Sequence, residues 1–246
     1  QWHWLSLGYT PPWQAREAVL HGVSTALYDE DTAAALSRAA ADLGRPARVH
    51  VKVDTGMGRL GLLPDEVAPL MRKVVDLPGL EVEGLFTHFA AADAADLAYT
   101  REQLAAFEGV LAELRGKGLL PPIVHAANSA AALRLPESRY DLVRPGIALY
   151  GLDPSDDAPC PAGFRPALAF KCQVAQVKAL PAGASVGYGC TYCTPHPSRI
   201  AVIPVGYADG FRRAPAHWGE VLVRGRRAPL VGRVCMDQSM IDVTDI

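Results

Sequence analysis

Lys52, Asp54 and Arg59 share one short run, Lys52-Val-Asp-Thr-Gly-Met-Gly-Arg59. In the extended stretch Arg48–Asp54, Val49, Val51 and Val53 fall on one face, and His50, Lys52 and Asp54 on the other. In a barrel the valines would meet the helices and Lys52 the lumen, where a buried ammonium must be paired, neutralised or modified. From alternation alone the commoner arrangement is an amine solvated at a barrel mouth. The glycine-rich run to Gly61 presents Arg59 from a loop, and a guanidinium there suits a carboxylate or a phosphate. His88 closes another apolar run; a lone strand-end imidazole is more often structural than catalytic. In Ile123-Val-His-Ala-Ala-Asn128-Ser129-Ala130 a strand ends, Asn128-Ser129 caps, and an Ala-rich helix begins. Such a terminus either holds an anion or is a plain N-cap. Val143-Arg144-Pro145-Gly146-Ile147 makes a second turn of this kind, with Gly146 allowing close approach of a ligand. Barrel phosphate sites use consecutive turns like these. Tyr188 and Tyr207 sit in the glycine turns Gly187-Tyr-Gly189 and Gly206-Tyr-Ala-Asp-Gly210, although tyrosines in β structure usually pack. The run ending at Met236-Asp237-Gln238 turns abruptly from apolar to polar, which a strand end alone would explain.

Those positions require strand ends, and the pattern supplies them. Strands are expected at Trp4–Leu7, Ser24–Tyr28, Arg48–Asp54, Glu83–Phe89, Ile123–Ala127 and Leu142–Tyr150. Helical segments such as Thr32–Leu43, Pro64–Val75, Tyr99–Leu114 and Ala130–Leu135 alternate with them. Six strands with crossovers predict a parallel α/β architecture, and by this count alone a doubly wound sheet and a barrel fit equally. Asp153–Gly163 reads as a linker, which places domains at 1–160 and 161–246. Beyond it come only short β runs: Ala169–Lys178, Ser185–Gly189, Arg199–Val205, Val221–Val223, Ala228–Val234 and Met240–Val243. They predict a small β-barrel or sandwich.

The 246 residues are half hydrophobic and carry a net charge of −2, which excludes a disordered chain and gives no electrostatic reason to expect nucleic acid. No apolar run has the roughly 18 residues that a membrane-spanning helix needs. Residues 1–160 carry a net −7 and residues 161–246 a net +5, a split that would suit head-to-tail pairing of two copies. Five cysteines, an odd number, argue against a disulfide framework and for reduced thiols in the cytoplasm; the single Cys190-Thr-Tyr-Cys193 has no second pair at metal-site spacing. No metal site is expected.

Taken together, these motifs resemble alanine racemase, a family with a pyridoxal-phosphate-binding (β/α)8 barrel followed by a β domain. The matching stretches are Lys52–Arg59, Thr87-His88-Phe89, His125–Ser129, Arg144–Gly151, Val186–Gly189, Gly206–Gly210 and Gly232–Gln238, in family order. The resemblance implies that about six of eight barrel units are present. It implies interconversion of L- and D-alanine for peptidoglycan through a cofactor imine, with two acid–base groups on opposite faces. It makes Tyr188 the catalytic phenol, reaching the substrate from the partner subunit of a homodimer. Arg144 would face the pyridine nitrogen and His88 the ring; Asn128, Ser129, Gly146 and Ile147 would bind the cofactor, chiefly its phosphate. Arg59, the backbone at Met236, and Tyr207 would contact the substrate or line its entrance. Lys52 would be the lysine that the family often carbamylates.

One family feature is missing. The cofactor-attaching lysine lies in a motif like Lys-Ala-Asn-Ala-Tyr-Gly-His-Gly, and none of Lys52, Lys73, Lys117, Lys171 and Lys178 has that context. The expectation is a chain truncated at both ends and inactive by itself. Rival readings are a serine or broad-specificity racemase, a related decarboxylase (against which Tyr188 and Met236-Asp237 speak), and a non-catalytic cofactor-binding module.

Overall fold

The computed structural model describes residues 3–213 and 219–246. Two compact units result, Gln1–Leu168 and Ala169–Ile246; the boundary lies eight residues past the expected 160/161.

In the first unit β1 (Trp4–Ser6), β2 (Val23–Leu27), β3 (Ala47–Lys52), β4 (Leu80–Phe86) and β5 (Ile123–His125) form one parallel sheet in chain order. The crossovers contain α1 (Ala15–Leu20), α2 (Glu30–Leu43), α3 (Pro64–Val74) and α4 (Ala98–Gly116), and α5 (Ser129–Arg134) follows β5. Local signals set these boundaries. Asp29 caps α2 by accepting from Thr32 N–H at 2.7 Å, and Gly44 ends the helix in the left-handed region. Val49, Val51 and Val53 are fully buried against the helices with Leu36, Met71, Phe107 and Leu111, as the alternation in β3 requires. This is a half-barrel of sequential parallel strands.

The expected strand Leu142–Tyr150 does not form. Leu142 makes a single parallel bridge to His125, and Ile147–Tyr150 is a 3-10 turn. Pro145 has no N–H for a ladder, and Arg144 turns its side chain into the sheet's inner face. A second departure lies inside β4. Val49 pairs with Val82 but His50 pairs with Gly84, so Glu83 is an extra, bulged residue. The bulge shifts the alternation by one and brings Glu83, Gly84 and Phe86 all toward the face that carries His50 and Lys52.

The second unit is a five-stranded antiparallel sheet. Its strands are β6 (Gln176–Leu180), β9 (Ser198–Ile203), β12 (Ser239–Asp242), β11 (Arg226–Val231) and β10 (Glu220–Val223), from one edge to the other. A separate ribbon joins β7 (Ser185–Val186) to β8 (Tyr192–Cys193). Among the described residues the sheet stays open; of the expected small β-barrel or sandwich, the antiparallel β character is present and closure into a barrel is not. The first expected strand starts late, at Gln176 instead of Ala169.

Candidate active site

In the first unit the site residues gather at the C-terminal ends of β3, β4 and β5, and Arg144 is their centre. Its Nη1 donates to His125 Nδ1 at 2.6 Å. Its Nη2 donates to the carbonyls of Thr87 (2.8 Å) and Ala126 (2.9 Å) and lies 3.4 Å from His88 Nδ1. Burial lowers the guanidinium to about 10, so it remains a cation at neutral pH. The neighbouring imidazoles respond oppositely. His88 is pushed down to about 4 by its burial, then by Arg144, Lys52 and Arg59. His125 is pushed further down by the same two causes, burial and then Arg144. Both are neutral acceptors at physiological pH. Gln103, itself buried, braces the loop after β4 by accepting from Ala90 N–H and donating to the His88 carbonyl.

Lys52 is only 4% exposed, so the mouth-solvated arrangement is not the one adopted. Its Nζ lies 4.9 Å from the centroid of the Phe86 ring. No hydrogen bond or ion pair reaches it among the described residues. Burial first, then the charges of Arg59 and Arg144, lower its ammonium to about 8. Asp54 next to it organises the Arg59 loop: its Oδ1 accepts from the N–H groups of Gly56, Met57 and Gly58, and its Oδ2 from that of Arg59. Burial alone would raise the Asp54 carboxyl, but these four donors hold it below its ordinary value. The Tyr99 hydroxyl donates to the Gly56 carbonyl, and Thr55 and Thr87 share a hydroxyl hydrogen bond, which fixes the loop from two further sides.

The two anion-friendly turns meet. Asn128 caps α5 through Oδ1 to Ala131 N–H, and its Nδ2 donates to the Phe89 carbonyl, so both ends of its amide are engaged by protein. Ser129 Oγ accepts from Gly146 N–H at 2.8 Å and Ala148 N–H at 3.3 Å. Two accepted bonds leave its own proton to donate. Ile147 opens the 3-10 turn, so its N–H has no partner within that turn. A Cβ on Gly146 would meet no protein atom within 4 Å, so the space above it is open. These donors suit a phosphate, and Arg144 with two neutral histidines suits a pyridine ring; pyridoxal phosphate fits the residues present.

The second unit holds the other candidates on three adjoining turns. Gly206 packs on the backbone of Cys235–Asp237, and Tyr207 N–H donates to the Cys235 carbonyl at 3.0 Å. Gly187 is at φ 74 with Arg233 backbone beside it, and a Cβ on Gly189 would stand 3.4 Å from the Arg233 guanidinium. Tyr188 and Met236 are exposed, and Tyr207 is partly so, with Arg213 over its ring at 5.8 Å. Met236 N–H has no acceptor among the described residues.

The motif reading passed over His50 and gave His125 no role. The signal for His50 was present: strand alternation puts it on the face of Lys52.

Comparison with known proteins is consistent along the chain. A family model described as "Alanine racemase, N-terminal domain" matches residues 2–154, and "Alanine racemase, C-terminal domain" matches residues 167–246. An alanine racemase of Symbiobacterium thermophilum is 51% identical over 241 residues, covering 98% of this chain and 64% of that protein. One of Desulfovibrio desulfuricans is 48% identical over 242 residues, covering 98% and 65%. The solved alanine racemase of D-cycloserine-producing Streptomyces lavendulae superposes with TM-score 0.93 at 38% identity, covering 99% of this chain and 65% of that one. That of Bacillus anthracis with bound L-Ala-P superposes at 0.87 and 37%, covering 97% and 62%. The chain therefore spans about 65% of the length of the curated relatives it matches. No helix among the described residues is long and apolar enough to cross a membrane.

Proposed function

The chain belongs to the alanine racemase family, and on that footing we propose that a polypeptide carrying it together with a cofactor lysine interconverts L- and D-alanine. The observation that carries this reading is Arg144, a part-buried cation held by four protein acceptors, with N–H groups left over and neutral histidines around it. When bound, pyridoxal phosphate acidifies the α-proton of an amino acid attached to it. Arg144 is a permanent donor, so it would hold the pyridine nitrogen without giving up a proton and would thereby limit electron withdrawal and side reactions. The Ser129 hydroxyl and the Ile147 N–H hold the phosphate, Gly146 leaves room for it, and Asn128 fixes the turn that presents Ser129. His88 lies against the ring.

Arg59 binds the substrate carboxylate, helped by Met236 N–H. Tyr188 would serve one face of the substrate, removing the α-proton of one enantiomer, and the cofactor lysine would deliver a proton to the opposite face, the roles exchanging for the other enantiomer; Tyr207 would line the entrance. In this reading the protein is a homodimer, and the partner copy supplies the Tyr188 turn. The exposure of that turn supports this, and the nearby Arg233 cation would favour the phenolate that accepts a proton. Lys52 reacts with carbon dioxide. Its neutral amine forms an N–C bond and releases a proton, and the resulting carbamate anion orients Arg59. A lysine near 8 has the neutral fraction this needs. The free cysteines agree with a cytoplasmic enzyme supplying D-alanine for the cell wall.

The test is a pair of proteins. The 246-residue chain with added pyridoxal phosphate makes no D-alanine above a Tyr188→Phe control. A chimera joining it to the lysine-bearing barrel segment of the Symbiobacterium racemase turns alanine over and loses that activity on Tyr188→Phe. An inactive chimera, or an active chain alone, overturns the proposal.

A further inference from the structure

Behind Arg144 a row of polar side chains continues along the inner face of the half-barrel. His125 Nε2 lies 2.9 Å from His50 Nδ1, and both rings are buried. His50 Nε2 is 3.6 Å from Glu83 Oε2. That carboxylate accepts from Ser24 Oγ at 2.8 Å and pairs with Arg48 Nε at 3.3 Å. Phe86 stacks flat on His125, with centroids 4.7 Å apart and planes 4° apart.

The two ends of this row, a guanidinium that only donates and a carboxylate that only accepts, demand the same direction for every bond between them. A guanidinium only donates, so His125 Nδ1 must be an acceptor. The His125 proton is then on Nε2, which donates to His50 Nδ1. The His50 proton is in turn on Nε2, facing Glu83. The other His50 tautomer would set two N–H groups against each other across 2.9 Å. The carboxylate at the far end selects the tautomer that avoids this.

The backbone is built around the row. The bulge at Glu83 brings that carboxylate to the inner face, one residue ahead of Gly84. A Cβ on Gly84 would collide with Nδ1 and Cε1 of His50. Only a residue without a side chain lets the imidazole cross the strand to reach His125.

We propose that His50 and Glu83, seated by Gly84, are positioning residues for Arg144: they lock the His125 tautomer so that its Nδ1 always receives the guanidinium. What Arg144 then does rests on the racemase reading; the lock itself does not. The row also leaves Arg144 one Nη1 hydrogen and its Nε–H for a ligand, in a fixed orientation. Burial, the leading cause for both rings, disfavours their charged forms, and the charge of Glu83 only partly opposes it at His50. The groups facing the pair are Arg144, Glu83 and Lys52, with Arg48 and Ser24 behind Glu83.

The experiment has two arms. Two-bond 1H–15N spectra of the 15N-histidine-labelled chain report which ring nitrogen carries the proton. His50 and His125 are expected as neutral Nε2–H tautomers throughout pH 5 to 8. Glu83→Ala should give mixed tautomers at His50. An Nδ1–H tautomer in the unmodified protein, or protonation of either ring within that range, overturns the lock. In the lysine-bearing chimera, His50→Leu and Gly84→Ala should lower kcat about tenfold, the scale of one lost buried hydrogen bond, with the KM for alanine changed less than about twofold. His50→Asn keeps an acceptor near the Nδ1 position and should recover most of the loss. Equal losses in His50→Asn and His50→Leu would refute the positioning role. If the chimera is no racemase while the spectra hold, the functional reading fails and the lock stands.

Discussion

Arg144 and Tyr188 differ sharply in how they are held. The guanidinium is partly buried in the half-barrel and hydrogen-bonded to four acceptors, whereas the phenol is 66% exposed on a turn of the β unit. Their surroundings follow the same division. In the first unit Lys52, His88 and His125 all have proton affinities moved by burial first and then by neighbouring charges, Arg144 among them. In the second, Tyr188, Tyr207 and Met236 ride on glycine-hinged turns with solvent on one side. The difference teaches that the two units contribute in different ways. One holds charge in a preorganised and costly environment; the other presents groups that need a complementary surface to become buried. Mutations should therefore separate stability from activity according to unit.

The largest expected effect is Arg144→Leu. It strands two buried carbonyls and a histidine, and should cost about 3 kcal/mol in urea unfolding of the chain, on the scale of several lost charged hydrogen bonds. A cost below about 1 kcal/mol would mean the network is not preorganised. Next comes Lys52. Its folded-state value of about 8 lies below the ordinary 10.5, so between these pH values the unfolded chain binds the extra proton. Stability should rise with pH through that window, and the destabilisation should be fully present below it. Lys52→Met in carbon-dioxide-free buffer should flatten this rise. With 13C-bicarbonate present, the unmodified chain should show a carbamate carbon signal that Lys52→Met lacks; no signal would remove the proposed modification. The smallest effect is Tyr188→Phe. The change in stability should stay within about 0.5 kcal/mol, as for an exposed position, while activity in the chimera is lost. A large stability loss here would show that the phenol is structurally committed after all.

The residues that announced themselves in the sequence were those with a local signature. The valine alternation of β3 placed Lys52 correctly on the inner face, and the Asn128-Ser129 cap was legible because capping is decided within four residues. What stayed hidden depended on partners distant in sequence. The bulge at Glu83 leaves no mark in a count of alternating residues, because it exists only relative to β3. Leu142–Tyr150 reads as apolar and extended, yet Pro145 and the inward pull on Arg144 end its pairing after one bridge. The His50–His125 contact joins residues 75 apart, and its only local trace is a glycine opposite a histidine.

The Asp54 carboxylate has a consequence for how the Arg59 loop tolerates sequence drift. It grips main-chain N–H groups, which every residue but proline provides, so the loop's shape is written in its backbone and not in its side chains. Met57 can therefore be exchanged for many residues without moving Arg59. Gly56 cannot, since any side chain there would strike the Tyr99 hydroxyl that closes the loop. Arg59 thus hangs on one acid, one glycine and one phenol, and the rest of its loop is free to vary.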